Sequence, residues 1–268
     1  MLGNDVIDLD DLDARPETFR PRFDERVFSG EERQAIARDD SPHAFRWAHW
    51  GAKEAAYKLA RQIDPQFVFS PIQLIARFET AEIATSSSSN ISQSCVERRG
   101  TLNLPENFRI AKAREVGCAF RESRALEIRS FETTESVHVV ALPESANWDE
   151  LTLSVEKRSS VEDRLMSPAD PSRAVRALAV REIGRKLNLG ADRLEIGRRG
   201  KVPTVELDGG QTSLALSLSH HGRFVAFAMM PAPEIRGGKR FGFEANQQSE
   251  MILTDPVMDS VGSKAASE

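Results

Sequence analysis

Asp5 and Glu54 are the residues of this chain whose setting suggests metal chemistry. Asp5 sits in Leu2-Gly-Asn-Asp-Val-Ile-Asp-Leu9, a short strand-like run where acidic residues are disfavoured. Glu54 sits in Trp50-Gly-Ala-Lys-Glu-Ala-Ala-Tyr-Lys58, four residues before Lys58, so the two share one face of a helix. Mg²⁺ is usually held by one or two carboxylates together with water and substrate phosphates. Asp5 and Glu54 are that pair if the helix packs beside the first strand. A bland alternative exists for each. Glu four residues before Lys is the favoured order for a surface salt bridge, and an acidic strand end is at home in water. Trp47 and Trp50 flank the helical pair, and a solvated face rarely carries two tryptophans. Asp8, Asp10, Asp11 and Asp13 deepen the negative charge near Asp5, which suits either a divalent cation or simple solvation.

A third segment runs Leu214-Ala-Leu-Ser-Leu-Ser-His-His-Gly-Arg-Phe-Val-Ala-Phe-Ala228. Its leucines alternate with Ala215, Ser217 and Ser219, as in a strand with one small or polar face. It ends in Ser219-His220-His221-Gly222, a turn rich in hydrogen-bond donors. Upstream, Arg173, Arg176, Arg181, Arg185, Lys186, Arg193, Arg198, Arg199 and Lys201 outnumber the local acids, which gives phosphates somewhere to sit. Other candidates fail. Cys95 and Cys118 lack a paired histidine, His138 lies in an apolar run that reads as core, and there is no glycine-rich phosphate loop.

The elements that must position these residues come in two similar series. Ser41-Pro42 opens a helix to about residue 62, with Phe45, Ala48, Ala52, Ala55 and Leu59 as its buried stripe. Strand-like runs follow at 72–78, 115–120, 125–131 and 137–142. In the second half a strand at 151–155 precedes a helix capped by Ser172, which runs to about Leu189 and stops at Gly190. Strands follow at 194–196, 202–207, 214–218 and 224–229, with Asp208-Gly209-Gly210 as a turn. The expected fold is α+β: two pseudo-repeated lobes, each a sheet with one main packed helix. The expected lobes are 1–143, with a serine-rich flexible loop at 85–94, and 144–230. Residues 231–268 read as a loosely ordered tail.

The 268 residues carry a net charge of −5, with 40% hydrophobic and 29% charged side chains. That balance excludes a disordered chain and a generally basic nucleic-acid binder. No apolar run reaches the ~18 residues of a membrane helix, and the acidic N-terminus is unlike a signal peptide. The expectation is a cytoplasmic protein with no membrane or nucleic-acid partner.

Three motifs together resemble the 4′-phosphopantetheinyl transferase superfamily: Gly3-Asn4-Asp5, the helix 50–58, and Ser217-Leu218-Ser219-His220-His221. Arg26-Val-Phe-Ser-Gly-Glu-Glu32 is similar to the stretch between the first two, and Gly200-Lys201-Val202-Pro203 to the family's Gly-Lys-Pro turn with one residue inserted. The resemblance covers about 1–80 and 172–230. The motif order is that of the short holo-acyl-carrier-protein synthases, here in a chain of two-lobe length, which implies a monomer with pseudo-dimeric lobes.

The resemblance implies transfer of 4′-phosphopantetheine from coenzyme A to a serine of an apo carrier protein, with Mg²⁺, releasing 3′,5′-ADP. It implies that Asp5 and Glu54 hold Mg²⁺, with Asp8 in the position of a third acid. Lys58 binds a phosphate oxygen, Glu54 takes the serine proton, and Ser219 and His220 hold the nucleotide end. Arg198 and Lys201 are further phosphate candidates. Carrier proteins are acidic, and Arg15, Arg20, Arg22 and Arg26 form a docking strip for one, interrupted by Glu17, Asp24 and Glu25. Two alternatives stand beside this reading: a degenerate, non-catalytic member that binds coenzyme A or a carrier domain, and another Mg²⁺-dependent phosphotransfer enzyme.

Overall fold

The first strand organises the molecule because each of its faces is packed against something different. A computed structural model of the chain describes residues 1–79, 82–84, 95–106, 108, 124–158 and 170–231. Its strands are β1 (Gly3–Asp8), β2 (Ile75–Phe78), β3 (Glu82–Ala84), β4 (Cys95–Asn103), β5 (Ala125–Glu132), β6 (Ser136–Pro143), β7 (Thr152–Lys157), β8 (Leu194–Arg199), β9 (Val202–Leu207), β10 (Gly210–Gln211), β11 (Leu214–His221) and β12 (Phe224–Pro231). Its helices are α1 (Phe23–Val27), α2 (Gly30–Arg38), α3 (Pro42–Ile63) and α4 (Pro171–Leu187). The largest sheet is antiparallel in the order β1-β6-β5-β4-β2, with β3 also paired to β4. The strands β11-β12-β7 form a second antiparallel sheet and β10-β9-β8 a third. The fold is α+β, as expected.

The helix α3 lies on the largest sheet. Pro42 occupies its first turn, and the stripe Phe45, Ala48, Ala52, Ala55 and Leu59 is buried throughout. Small residues let the helix descend onto the strands. A Cβ at Gly3 would stand 1.9 Å from the carbonyl oxygen of Ala55. One at Gly51 would stand 2.8 Å from Cγ2 of Val139 and 3.0 Å from Cδ1 of Ile7. Gly3, Asp5 and Ile7 therefore share the face of β1 turned toward α3. The other face packs on the second sheet: Leu2 joins Val140, Leu142, Ala228 and Met230, while Val6 joins Phe224 and Ala226. On its own far side the second sheet carries α4, whose Val175, Leu178, Ala179 and Ile183 cover Leu216, Val225, Phe227 and Met229. All described residues lie in one compact unit, Met1–Gly238, so position 143/144 marks a passage between sheets within that unit. No helix of the described residues is long and apolar enough to cross a membrane.

Several local expectations need correction. The cap of α4 is Asp170, which accepts from the Ser172 amide over 3.0 Å, and the helix ends on left-handed Asn188 (φ 52°) ahead of Gly190. Residues Pro71–Gln73 form a 3₁₀ turn, so the expected strand at 72–78 begins at Ile75. The strand β4 was hidden by its charges. Arg98 is buried within it because Asp39 and Glu132 both accept from its guanidinium, which also lies 4.4 Å above the ring of Phe45. The serine-rich stretch 85–94, the expected strand at 115–120, Cys118 and residues 232–268 lie outside the described residues.

Candidate active site

With Gly51 over Ile7 and Ala55 over Gly3, the helix turn that carries Glu54 and Lys58 comes down beside Asp5. The Lys58 ammonium donates to Oδ1 of Asp5 over 2.9 Å, to the carbonyl of Asn4 over 2.9 Å and to Oγ of Ser219 over 3.2 Å. Ser219 in turn donates to the same Oδ1 over 2.7 Å. Two residues from β1, one from α3 and one from β11 thus share one cluster. Glu54 is half-buried beside it and accepts no hydrogen bond among the described residues, nor does Oδ2 of Asp5. Burial, and then the charge of Asp5, push the Glu54 carboxyl up to about 7, with Lys58 opposing them.

Two carboxylates that lack sufficient counter-charge, with oxygens free of protein donors, suit a hard divalent cation. The described residues contain no group of three or more side chains able to hold a metal. Asp5 and Glu54 alone would then be the protein ligands, and water and phosphate oxygens would supply the rest, as is usual for Mg²⁺.

Asp8 stands apart from this pair. It lies on the opposite face of β1, buried, where the Arg223 guanidinium grips both carboxylate oxygens over 2.8 and 2.6 Å. The Arg223 amide adds a third bond of 2.8 Å. Burial opposes the charge on Asp8, but these bonds prevail and hold its carboxyl below the ordinary value.

The Ser-His segment splits between two faces of β11. Ser217, Ser219 and His221 face β1 and accept its alternate amides: Asn4 N–H to Ser217 Oγ at 3.0 Å, Val6 N–H to Ser219 Oγ at 3.2 Å, and Asp8 N–H to His221 Nδ1 at 3.1 Å. His220 points the other way and is exposed. Burial of its ring, then the charge of Lys58, hold it below the usual imidazole range. Arg198 and Lys201 lie exposed at the tip of the β8–β9 hairpin. Neither bonds to Asp5, Glu54, Lys58 or Ser219 among the described residues. The structure therefore joins Asp5, Lys58 and Ser219 beside Glu54, and leaves Asp8, Arg198 and Lys201 apart.

Sequence reasoning missed two supports behind the cluster. Asn4 supplies its carbonyl to Lys58, and its side-chain amide donates to Nε2 of buried His138 over 3.1 Å. Burial takes the His138 imidazole down to about 4, so it is neutral. The second support is Glu32, whose carboxylate accepts from the Ser29 amide over 2.8 Å, the Ala76 amide over 3.0 Å and Lys53 over 2.7 Å. Lys53, on α3 next to Glu54, is buried and also donates to the carbonyls of Pro71 and Leu74. The signal for Glu32 was present: Ser29-x-x-Glu32 is a capping box, and both of its reciprocal bonds form. Trp47 is likewise a core residue, its indole N–H donating to the Ala14 carbonyl over 3.0 Å.

Residues 1–113 match the family model of the 4′-phosphopantetheinyl transferase superfamily. Over that stretch, somewhat less than half of its length, the chain is similar to that superfamily. No curated protein matches the chain. The transferase match includes Asp5, Glu32, Lys53, Glu54 and Lys58, and ends before β11. What lies beyond the match is still part of the cluster, because Ser219 closes it against Asp5 and Lys58.

Proposed function

We propose that the chain transfers 4′-phosphopantetheine from coenzyme A to a serine of an acidic apo carrier protein, in the manner of a holo-acyl-carrier-protein synthase. The observation that carries this reading is the pairing of Glu54 with Asp5, two carboxylates short of counter-charge with Lys58 alongside. Asp5 and Glu54 would hold Mg²⁺, which when bound neutralises charge that grows on the pyrophosphate during its cleavage. Lys58 would bind a phosphate oxygen by exchanging its bond to Asp5 or to Ser219 for it, while remaining anchored to β1 by the Asn4 carbonyl. The serine oxygen of the carrier attacks the phosphorus that bears the pantetheine arm. The bond from that phosphorus to the bridging oxygen breaks, and 3′,5′-ADP leaves with the bridging oxygen. Glu54, directly or through one water, would take the serine proton. Alignment and charge neutralisation carry the rest of the barrier.

His220, exposed on the opposite face of β11 yet close enough to feel the charge of Lys58, is the candidate for the 3′-phosphate of the nucleotide. The exposed Arg15, Arg20, Arg22 and Arg26 are the candidates for an acidic carrier, although Arg22 is already paired with Glu25 at 2.5 Å. Incubation with coenzyme A, Mg²⁺ and an apo carrier, followed by weighing the carrier, tests the reading. A carrier that gains no phosphopantetheine refutes it.

A further inference from the structure

We propose that Ser219 is a positioning residue for Asp5: it fixes one carboxylate oxygen, leaves the other open to a cation, and is not itself a phosphate ligand. This rests on the transferase reading above and refines it.

A serine hydroxyl has one hydrogen to give and two lone pairs to accept with. The hydrogen of Ser219 goes to Oδ1 of Asp5 at 2.7 Å, and its lone pairs meet the Val6 amide at 3.2 Å and the Lys58 ammonium at 3.2 Å. Its capacity is full without any ligand. The residue is also only 4% exposed, so a nucleotide phosphate would have to displace Asp5 to reach it. Lys58 donates to that same Oδ1 over 2.9 Å, so two donors converge on one oxygen of Asp5, while Oδ2 has no partner among the described residues.

The anchor is stiff because of where Ser219 sits. The side chains of Ser217, Ser219 and His221 take the place of a neighbouring strand along the free edge of β1, each accepting an alternate amide. Ser219 is held by the N–H of Val6, the residue next to Asp5, so the distance from hydroxyl to carboxylate is set by backbone geometry. Ser217 makes the equivalent rung with Asn4 and does not touch Asp5. It therefore serves as a control that separates the joint between sheets from the positioning of the carboxylate.

The test uses the full chain with coenzyme A and reads Mn²⁺ binding by electron paramagnetic resonance, alongside thermal unfolding. Hydrogen bonds to charged groups are strong enough that Ser219→Ala should weaken Mn²⁺ by about tenfold or more. Ser219→Thr, which keeps the hydroxyl, should restore most of it. Ser217→Ala should lower the melting temperature comparably and leave Mn²⁺ affinity unchanged. If Ser219→Ala fails to fold, Ser219→Cys fills the same space with a weak donor and carries the same expectation. The preference for coenzyme A over dephospho-coenzyme A should be the same in wild type and Ser219→Ala. The proposal is overturned by wild-type protein that binds no Mn²⁺, by equal loss in the Ser217 and Ser219 variants, or by a lost 3′-phosphate preference on changing Ser219. The expected Mn²⁺ pattern without transfer to any carrier supports the positioning role and refutes the transferase reading, so the two failures are distinguishable.

Discussion

Gly3 and Ala55 touch through their backbones: a Cβ added at residue 3 would lie 1.9 Å from the Ala55 carbonyl oxygen and 2.8 Å from its carbon. That approach explains why a glycine stands two residues before Asp5. Both face α3, and only a bare backbone at position 3 lets the helix settle deeply enough for Glu54 and Lys58 to flank Asp5.

Gly3→Ala should therefore be severe. The obstacle is main chain, which cannot rotate away, so overpacking should cost at least ~3 kcal/mol. Gly30→Ala, where a Cβ meets nothing within 4 Å, is the matched control. A urea midpoint for Gly3→Ala equal to that of wild type would contradict the close packing of β1 on α3.

Glu54 titrates in the opposite sense from most buried, paired carboxylates. Its folded value of about 7 lies above the ordinary 4.5, so in the unbound protein the Glu54 contribution is fully present below pH 4.5 and is lost as pH rises through about 7. Glu54→Gln, which carries no charge, should then be more stable than metal-free wild type at pH 8, by an amount of order 1–3 kcal/mol. The difference should close below pH 4.5. Thermal unfolding of both proteins in chelator across pH 4–8 measures it. A difference that grows toward acid would show that Glu54 is not a carboxylate raised by burial and by Asp5.

The Glu32–Lys53 pair behaves in the usual way. Burial opposes the Glu32 charge, but His49, Lys53 and the Ala76 amide overcome it and bring the carboxyl down to about 2. Burial also lowers Lys53 itself, against the pull of Glu32. The stability supplied by Glu32 is present above pH 4.5 and is lost as pH falls toward 2. Glu32→Gln should be destabilised by ~3–5 kcal/mol at pH 7, because it leaves the Lys53 ammonium buried without its counter-charge. The gap to wild type should shrink steadily as pH falls below 4.5. A gap independent of pH would mean that the pair is not ionised.

The meeting of Asp5, Glu54 and Lys58 was legible because their types follow short local patterns: an acid in a strand, and an acid and a base one helical turn apart. The long α3 and the alternating strands of the second half were legible for the same reason of periodicity. Asp8 was misread because nothing local shows that a strand residue faces away from the helix, or that Arg223 lies more than two hundred residues along the chain but within 2.6 Å. That Ser219 meets Asp5 was hidden for want of the same long-range information. Its side chain and that of His220 point to opposite faces of β11, and only the docking of β11 on β1 shows which one meets Asp5. β4 escaped notice because Arg98 is neutralised by Asp39 and Glu132, one distant in sequence and the other on the neighbouring strand.

His220→Ala tests the nucleotide side of the site. The ring is exposed, close enough to feel Lys58, and turned away from the Asp5 cluster. Its loss should raise KM for coenzyme A roughly tenfold to a hundredfold, the range for one charge-assisted hydrogen bond, with a smaller effect on kcat. With dephospho-coenzyme A, variant and wild type should differ much less. Equal losses with both donors would remove His220 from the 3′-phosphate.

The transfer itself is the most direct measurement. Wild type and Glu54→Gln are incubated with coenzyme A, Mg²⁺ and an apo carrier protein, and the carrier is weighed by mass spectrometry over time. The account predicts that wild type adds one phosphopantetheine group only when Mg²⁺ is present, and that Glu54→Gln adds it at well below a tenth of that rate. A carrier that stays at its apo mass with wild type contradicts the account. So does a Glu54→Gln variant that keeps more than about a tenth of the rate, a barrier increase under ~1.4 kcal/mol.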